Sequence, residues 1–273
     1  MRKTILITGA SSGIGKATAK LFQLRGWNVI ASMRNPEIET ELIELENVHI
    51  AKLDVLDLDS IHRTIEDGIQ HFGNIDVLVN NAGYGAYGPL ESFNRDNIIR
   101  QFNTNVIGLL DVTKMVLPHF RQNKKGIIIN ISSIGGKMTF PLGSLYHGTK
   151  FAVEGISEAL SYEVEQFGGL VKIVEPGMIS TDFAGRSMDF SNDESMIEYQ
   201  QLVHLLMNAL PVMSKNASHA NIVAEIIYEA ATDGKNQLRY IAGEDAKVLL
   251  ASRQQYDDTI FIDGIKSQFG LNK

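Results

Sequence analysis

Tyr146 and Lys150 stand four positions apart in Tyr146-His147-Gly148-Thr149-Lys150. If that segment is helical, the phenol and the ammonium share one face, and a cation beside a phenol favours the phenolate. Free tyrosine titrates near ~10, so bringing it to ~7 takes about three units, or roughly 4 kcal/mol of differential stabilisation. Thirteen residues before Tyr146 comes Ser133, just past the apolar run Ile127 to Ile131. Its hydroxyl can hold a reacting oxygen while charge develops there. Ser132, one residue earlier, should point to the opposite side of the chain. A tunable proton donor, a cation and a positioning hydroxyl make general acid–base chemistry at an oxygen atom. A Tyr and a Lys at this spacing also occur in many helices without any task, so the pair needs support from the rest of the chain.

That support begins with Thr8-Gly9-Ala10-Ser11-Ser12-Gly13-Ile14-Gly15, which follows an apolar run and precedes an amphipathic pattern. Glycines allow a tight turn and a close backbone approach that a Cβ would block, and free N–H groups at a helix start suit a diphosphate. Gly15-Lys16 looks like the end of a P-loop. That pattern needs Gly five positions before Gly15 and Ser or Thr after the Lys, where this chain has Ala10 and Ala17. The three residues between Gly9 and Gly13 also depart from the G-x-G-x-x-G dinucleotide pattern.

Farther on come Asn80-Asn81-Ala82-Gly83, then Asn105 in Asn105-Val106-Ile107-Gly108, and Pro176-Gly177 leading to Thr181. In type, order and spacing, the segments over Thr4 to Thr181 resemble the short-chain dehydrogenase/reductase family. The resemblance implies an α/β fold, a doubly wound parallel sheet of about seven strands with helices on both faces. It implies hydride transfer between nicotinamide and a carbonyl or secondary alcohol carbon, with Asn105, Ser133, Tyr146 and Lys150 as catalytic residues. Tyr146 would pass the proton and Ser133 position the oxygen. Lys150 would bind ribose and, with the oxidised nicotinamide ring, depress the Tyr146 pKa. Asn105, at a helix irregularity, would hold a water joining Lys150 to solvent.

The same resemblance assigns the cofactor to Gly9, Ser11, Ser12, Gly13, Ile14 and Gly15 at the turn, and to Asp54 with Val55 at the adenine. The stretch Asn80 to Gly83 would steady the central sheet and line the cofactor through Asn81, Ala82 and Gly83, Tyr146 would also contact it, Lys150 would bind the ribose, and Pro176, Gly177 and Thr181 would lie beside the carboxamide. NAD-specific members carry an acidic residue at the end of the second strand. Here Met33 occupies that position and Arg34 follows; a guanidinium suits a 2′-phosphate. The expected cofactor is NADP(H) rather than NAD(H), and no metal is implied. The stretch Asn80 to Leu90 also looks like retinol and hydroxysteroid dehydrogenases, which favours a bulky apolar substrate. Tyr84, Tyr87, Met138, Phe140, Leu142, Met178 and Phe183 are the candidate lining of its cleft. His147 should face away from the site.

The elements that must position these groups follow from hydrophobic pattern. Short β-branched runs alternating with helical patterns signal βαβ units and a parallel sheet. Strands are expected at Thr4 to Thr8, Asn28 to Ser32, Val48 to Lys52, Val77 to Asn80, Ile127 to Ile131, Val171 to Glu175 and Arg239 to Ala242. Helices are expected at Ile14 to Arg25, Glu37 to Leu45, Ser60 to Phe72, Asn97 to Arg121, Tyr146 to Gln166, Asn221 to Ala231 and Asp245 to Ser252. Met178 to Ser214 breaks the rhythm. It opens polar and then becomes Met- and Leu-rich from Met196 to Leu210, and reads as a substrate lid on a single domain spanning 1–273.

The composition is that of an ordinary globular chain, with 44% hydrophobic and 21% charged residues in 273. A net charge of −7 without a block of Lys and Arg points away from nucleic acid and anionic membranes as partners. The absence of cysteine excludes disulfides and thiolate chemistry and suits a cytoplasmic protein. Neither a signal-peptide pattern nor a membrane-length apolar run is visible. The expected partners are a small carbonyl or alcohol substrate and further copies of the chain. The family pairs its long helices, here Val106 to Arg121 and Tyr146 to Gln166, into an isologous four-helix interface of a homodimer or homotetramer. Two other readings compete. A nicotinamide-binding regulator without chemistry would not need Tyr146, Lys150, Ser133 and Asn105 together, and an epimerase or dehydratase of the longer relatives fits neither the chain length nor the glycine spacing.

Overall fold

The computed structural model describes residues 2–180, 187–215 and 217–271. Its first strand, β1 (Thr4–Thr8), is buried along its whole length. Ile5 and Ile7 enter one apolar layer and Leu6 enters the other, because successive side chains of a strand point to opposite faces. After it come α1 (Gly13–Leu24), β2 (Asn28–Met33), β3 (Val48–Lys52), α2 (Leu58–Phe72), β4 (Val77–Asn80) and a short β5 (Gly85–Tyr87). The middle of the chain holds α3 (Arg95–Phe102), α4 (Gly108–Asn123), β6 (Gly126–Ile131), α5 (Ser144–Val164) and β7 (Gly169–Pro176). The remainder comprises β8 (Ile179–Ser180), β9 (Met188–Phe190), α6 (Ile197–Ser214), β10 (Ser218–His219), α7 (Ala220–Thr232), β11 (Arg239–Ala242), α8 (Glu244–Gln255) and α9 (Asp258–Gln268).

Seven strands form one parallel sheet in the order β11-β7-β6-β4-β1-β2-β3. The winding direction reverses between β1 and β4, which opens a crevice at their carboxyl ends. Phe22 of α1 and Ile227 of α7 cover one face. Ile61 and Ile65 of α2, Val112, Val116 and Phe120 of α4 and Val164 of α5 cover the other. Such double coverage is why the strands read as nearly unbroken apolar runs.

Two expected helices differ. Glu37 to Leu45 forms two isolated 3-10 turns, Pro36–Ile38 and Leu42–Glu44, instead of a helix. The Glu39 carboxylate accepts from the backbone N–H groups of Glu41 and Leu42, both at 2.9 Å, and pairs with Lys16 at 3.1 Å. Local side-chain bonds of this kind compete with the helical ladder. The long helix from Asn97 is interrupted by a π turn, Asn103–Ile107, between α3 and α4. The closing helix α9 and the short strands β5, β8, β9 and β10 carry too little periodic signal to be read from sequence.

Candidate active site

At the carboxyl ends of the central strands lies a cavity of about 870 Å³. Its nucleotide half is built on the turn after β1. Gly9 has φ +68°, and a Cβ there would sit 2.9 Å from Ala82 Cα, so only glycine lets the two turns approach. Asn81 locks them together: its Nδ2 donates to Thr8 O at 2.9 Å and Gly9 O at 3.0 Å, while Thr8 Oγ1 accepts from the N–H groups of Asn81 and Ala82. Gly9, Ser11, Ser12, Gly13 and Ile14 line the cavity, as do Asn81, Ala82 and Gly83. Gly15 does not line it; a Cβ at Gly15 would run into Gly9 O and Asn81, so its part is to let α1 pack against the turn. Ser12 makes no side-chain cap on α1, and the first turn of the helix holds no acidic residue. An uncapped positive helix end facing a cavity fits a diphosphate.

Met33 is buried at the end of β2, and exposed Arg34 stands at the cavity rim with Asn35. Asp54 and Val55 line the cavity after β3; Asp54 Oδ1 accepts from Leu56 N at 3.0 Å, which fixes that loop. Pro176 and Gly177 close the far end. Asp245, at the start of α8, accepts from Met178 N at 2.7 Å and holds this turn in place. Nothing in the local sequence signalled Asp245, since it comes from a helix 67 residues away. Thr181 and Phe183 lie outside the described residues.

Ser133, Tyr146 and Lys150 meet in the same cavity. Ser133 begins a 3-10 turn, and its hydroxyl accepts from Gly135 N at 3.0 Å, which sets its rotamer. It bonds the Tyr146 hydroxyl. Burial raises the Tyr146 pKa above the ordinary tyrosine value, and the Ser133 bond opposes that shift. The expected depression by Lys150 is not what dominates within the protein itself. The lysine is itself desolvated, with its pKa pulled down to about 8, and its Nζ donates to Ile131 O at 2.8 Å and lies 5.8 Å from the Tyr146 ring centroid.

Asn105 sits behind the cavity wall in the π turn. Its Oδ1 accepts from Tyr84 N at 3.0 Å, and its Nδ2 donates to Tyr84 O at 2.8 Å and Thr149 Oγ1 at 3.1 Å. With its side chain used up, it ties the β4 loop to α5. Asn80 bonds Thr113 Oγ1 and Asn130 Oδ1, and Asn130 in turn bonds Ser157, which ties β4, β6, α4 and α5 together.

His147 corrects the sequence reading: it lines the cavity instead of facing away. Its ring is occupied, however, since Phe140 N donates to Nε2 at 3.0 Å, leaving Nδ1 to donate to Gly135 O at 3.0 Å. Burial lowers its pKa, so it is a neutral structural group. On the substrate side Tyr84, Tyr87, Phe140 and Met178 form the expected wall, and Tyr87 packs 5.4 Å from the Tyr146 ring. Met138 and Leu142 belong to a separate apolar cluster under α6, α8 and α9. Met188, Asp189, Arg100 and Leu249 join the wall instead. Arg100 of α3 and Asp189 of β9 pair at 3.4 Å in the cavity wall, a meeting of a helix and a distant strand with no sequence signal.

Comparison with known proteins agrees with this geometry. The family model for short chain dehydrogenases matches residues 3–192. An uncharacterised oxidoreductase of Schizosaccharomyces pombe is 46% identical over 239 residues, 88% of this chain and 100% of the relative. A 3-ketodihydrosphingosine reductase of Bacteroides thetaiotaomicron is 43% identical over 179 residues, 66% of this chain and 65% of that protein. Among solved structures, a short-chain dehydrogenase from Streptomyces avermitilis superimposes with a TM-score of 0.84 at 31% identity, covering 99% of this chain and 98% of the other. ElxO with NADP bound gives 0.75 at 29% identity, covering 91% and 100%. The chain belongs to the short-chain dehydrogenase family.

Proposed function

We propose that this oxidoreductase uses NADP(H) to reduce the ketone of a bulky, largely apolar substrate. The observation that carries the reading is the convergence of Ser133, Tyr146 and Lys150 in one cavity with the uncapped start of α1 and with Arg34. NADPH, when bound, supplies the hydride. Tyr146 donates its proton to the substrate oxygen, Ser133 holds that oxygen, and Lys150 contributes positive charge and a ribose contact. Asn105 supports the site by fixing the β4 loop against α5. A regulator without chemistry is not favoured, because the three reacting groups are complete and placed in the cavity.

Arg34 beside buried Met33 supports NADP(H) over NAD(H), as does the NADP-bound ElxO. Tyr84, Tyr87, Phe140, Met178, Met188 and Leu249 give an apolar wall, which suits a long aliphatic or fused-ring ketone. The similarity to a 3-ketodihydrosphingosine reductase points to the aliphatic class, and the look of Asn80 to Leu90 to the fused-ring class. Within the segment expected as the substrate lid of a single domain, the part that acts as a lid is the stretch at 188–190 ahead of α6, where Met188 and Asp189 line the cavity. Exposed Phe102, Ile107, Phe151 and Tyr162 on the α3–α4 stretch and α5 support a homo-oligomer built on those helices. The test is oxidation of NADPH and NADH, followed by absorbance, against long-chain 3-ketones, ketosteroids and small ketones. Turnover of only small ketones, or none with NADPH, would sink the proposal.

A further inference from the structure

Behind the catalytic residues, three buried acceptors have no donor among the described residues: Ser132 Oγ, Glu154 Oε1 and Glu175 Oε1. They come from three elements. Ser132 follows β6, Glu154 lies on α5 one turn after Lys150, and Glu175 is the penultimate residue of β7. Gly136 shows how tightly Ser132 and Glu154 converge, for a Cβ there would meet Ser132 Oγ at 2.7 Å, Glu154 Cγ at 2.8 Å and Lys150 O at 2.9 Å. Glu154 and Glu175 are 4% and 2% exposed.

Two adjacent carboxyls out of water resist ionising together, so one of them keeps its proton to higher pH. Arg239 of β11 is the cation in contact, with Nε 3.0 Å from Glu154 Oε2 and 3.6 Å from Glu175 Oε1. Its Nη2 is taken by Glu158 at 2.6 Å, and Lys137 acts on the group from farther off. As two carboxylates the acids leave both Oε1 atoms unpaired; a proton on Glu175 lets it hydrogen-bond Glu154, which two opposed carboxylates cannot do. Burial and the charge of Glu154 push the Glu175 carboxyl up to about 7, so Glu175 keeps its proton well above the ordinary carboxylate range. The other group that feels this charge is Lys150: burial pulls its ammonium down to about 8, and Glu154 is what holds it up.

We propose that Glu154 is a positioning residue for the reaction, a buried counter-charge one helical turn behind Lys150 that acts on the cofactor through that lysine. This rests on the reading of Lys150 as the cation that meets the cofactor. A purely structural pair, clamping α5 to β7 and β11 through Arg239, would leave the charge state of Lys150 untouched.

Glu154→Gln keeps the size of the side chain and an acceptor for Arg239 while removing the charge. NADPH affinity, read by nicotinamide fluorescence from pH 6 to 9.5, needs no substrate. Wild type should weaken through one midpoint that is missing in Lys150→Ala. In Glu154→Gln that midpoint should fall by about one unit, with affinity at pH 6 within a few-fold of wild type. Glu175→Gln should match wild type near pH 6 and shift in the same direction by a smaller amount, because only above about pH 7 does wild type gain the second charge. Coincident midpoints in all three proteins, or an equal loss at every pH, overturn the proposal. If Glu154→Gln does not fold, the midpoint of Glu175→Gln decides. A wild type that binds no NADPH at any pH would count against the functional reading instead.

Discussion

Tyr146 illustrates how burial and function pull apart at a single residue. Burial in the cavity wall raises its pKa, and the Ser133 bond opposes this. Proton donation to a ketone needs the protonated phenol, so a raised value suits reduction near neutral pH. Tyr146→Phe removes the proton donor and little else. Steady-state turnover should drop about 10²–10⁴-fold while NADPH fluorescence titration gives an affinity near that of wild type; activity within a few-fold would take Tyr146 out of the chemistry. Arg34 stands exposed at the rim, where its worth is one charge-assisted contact. Arg34→Ala should weaken NADPH binding by about 10–100-fold and leave NADH nearly unchanged. Equal losses for both cofactors would mean that Arg34 does not read the 2′-phosphate. Both residues were legible because their chemistry is local. Glu154 and Glu175 were not, since each alone reads as an ordinary helix or strand-end acid.

Elements decide what the residues cannot. The π turn Asn103–Ile107 has the Gly108 N–H bonded to Asn103 O, five residues back. That register swings Asn105 into the β4 loop, and a regular helix would not. The apolar pattern alone reads as a continuous helix, because a stripe is indifferent to one extra residue in a turn; the irregularity at Asn105 follows only from the family resemblance, and the π turn matches it. The exposed faces of the same helices carry Phe102, Ile107, Phe151 and Tyr162 at 38%, 47%, 46% and 65% exposure. Light scattering of wild type at micromolar concentration should give a dimer or tetramer, and Ile107→Arg with Phe151→Arg should lower that mass. A monomeric wild type would refute the interface. Lys172 of β7 is almost fully buried against Asp233 at 2.7 Å and Tyr240 at 3.0 Å. Lys172→Ala leaves Asp233 without its cationic partner, though still bonded by Tyr240 Oη and Lys235 N, and should cost about 3–5 kcal/mol in urea unfolding. A loss under about 1 kcal/mol would show the pair to be dispensable.

At the scale of the whole molecule, the carboxyl-terminal helices hold the substrate side of the cavity. Ala246 and Leu250 of α8 and Phe261, Ile265 and Phe269 of α9 share an apolar cluster with Leu206 of α6, so α6 is docked on a platform. The wall at Met188 and Asp189 is held more lightly, by the three-residue ladder of β9 on β5. Closure should therefore appear chiefly before α6. Hydrogen exchange should slow at 188–190 when NADPH and a turned-over ketone are added, with little change in 203–210. Full protection of 188–190 in the free enzyme would show that nothing there closes.

The sequence by itself determined the parallel sheet, through runs apolar on both faces, and the candidate site residues, through Gly9 to Gly15, Asn80 to Gly83, Ser133, Tyr146 and Lys150. These signals are short-range, fixed by strand period, helical spacing and glycine turns. Only the tertiary structure decided which groups share a cavity and what charge they carry. The inward turn of His147, the clamp of Asp245 on Met178, the Arg100–Asp189 pair and the adjacent carboxyls beneath Lys150 all join residues distant in the chain or depend on burial. Burial, and the pKa shifts that follow from it, belong to the packed assembly and not to any local run of residues.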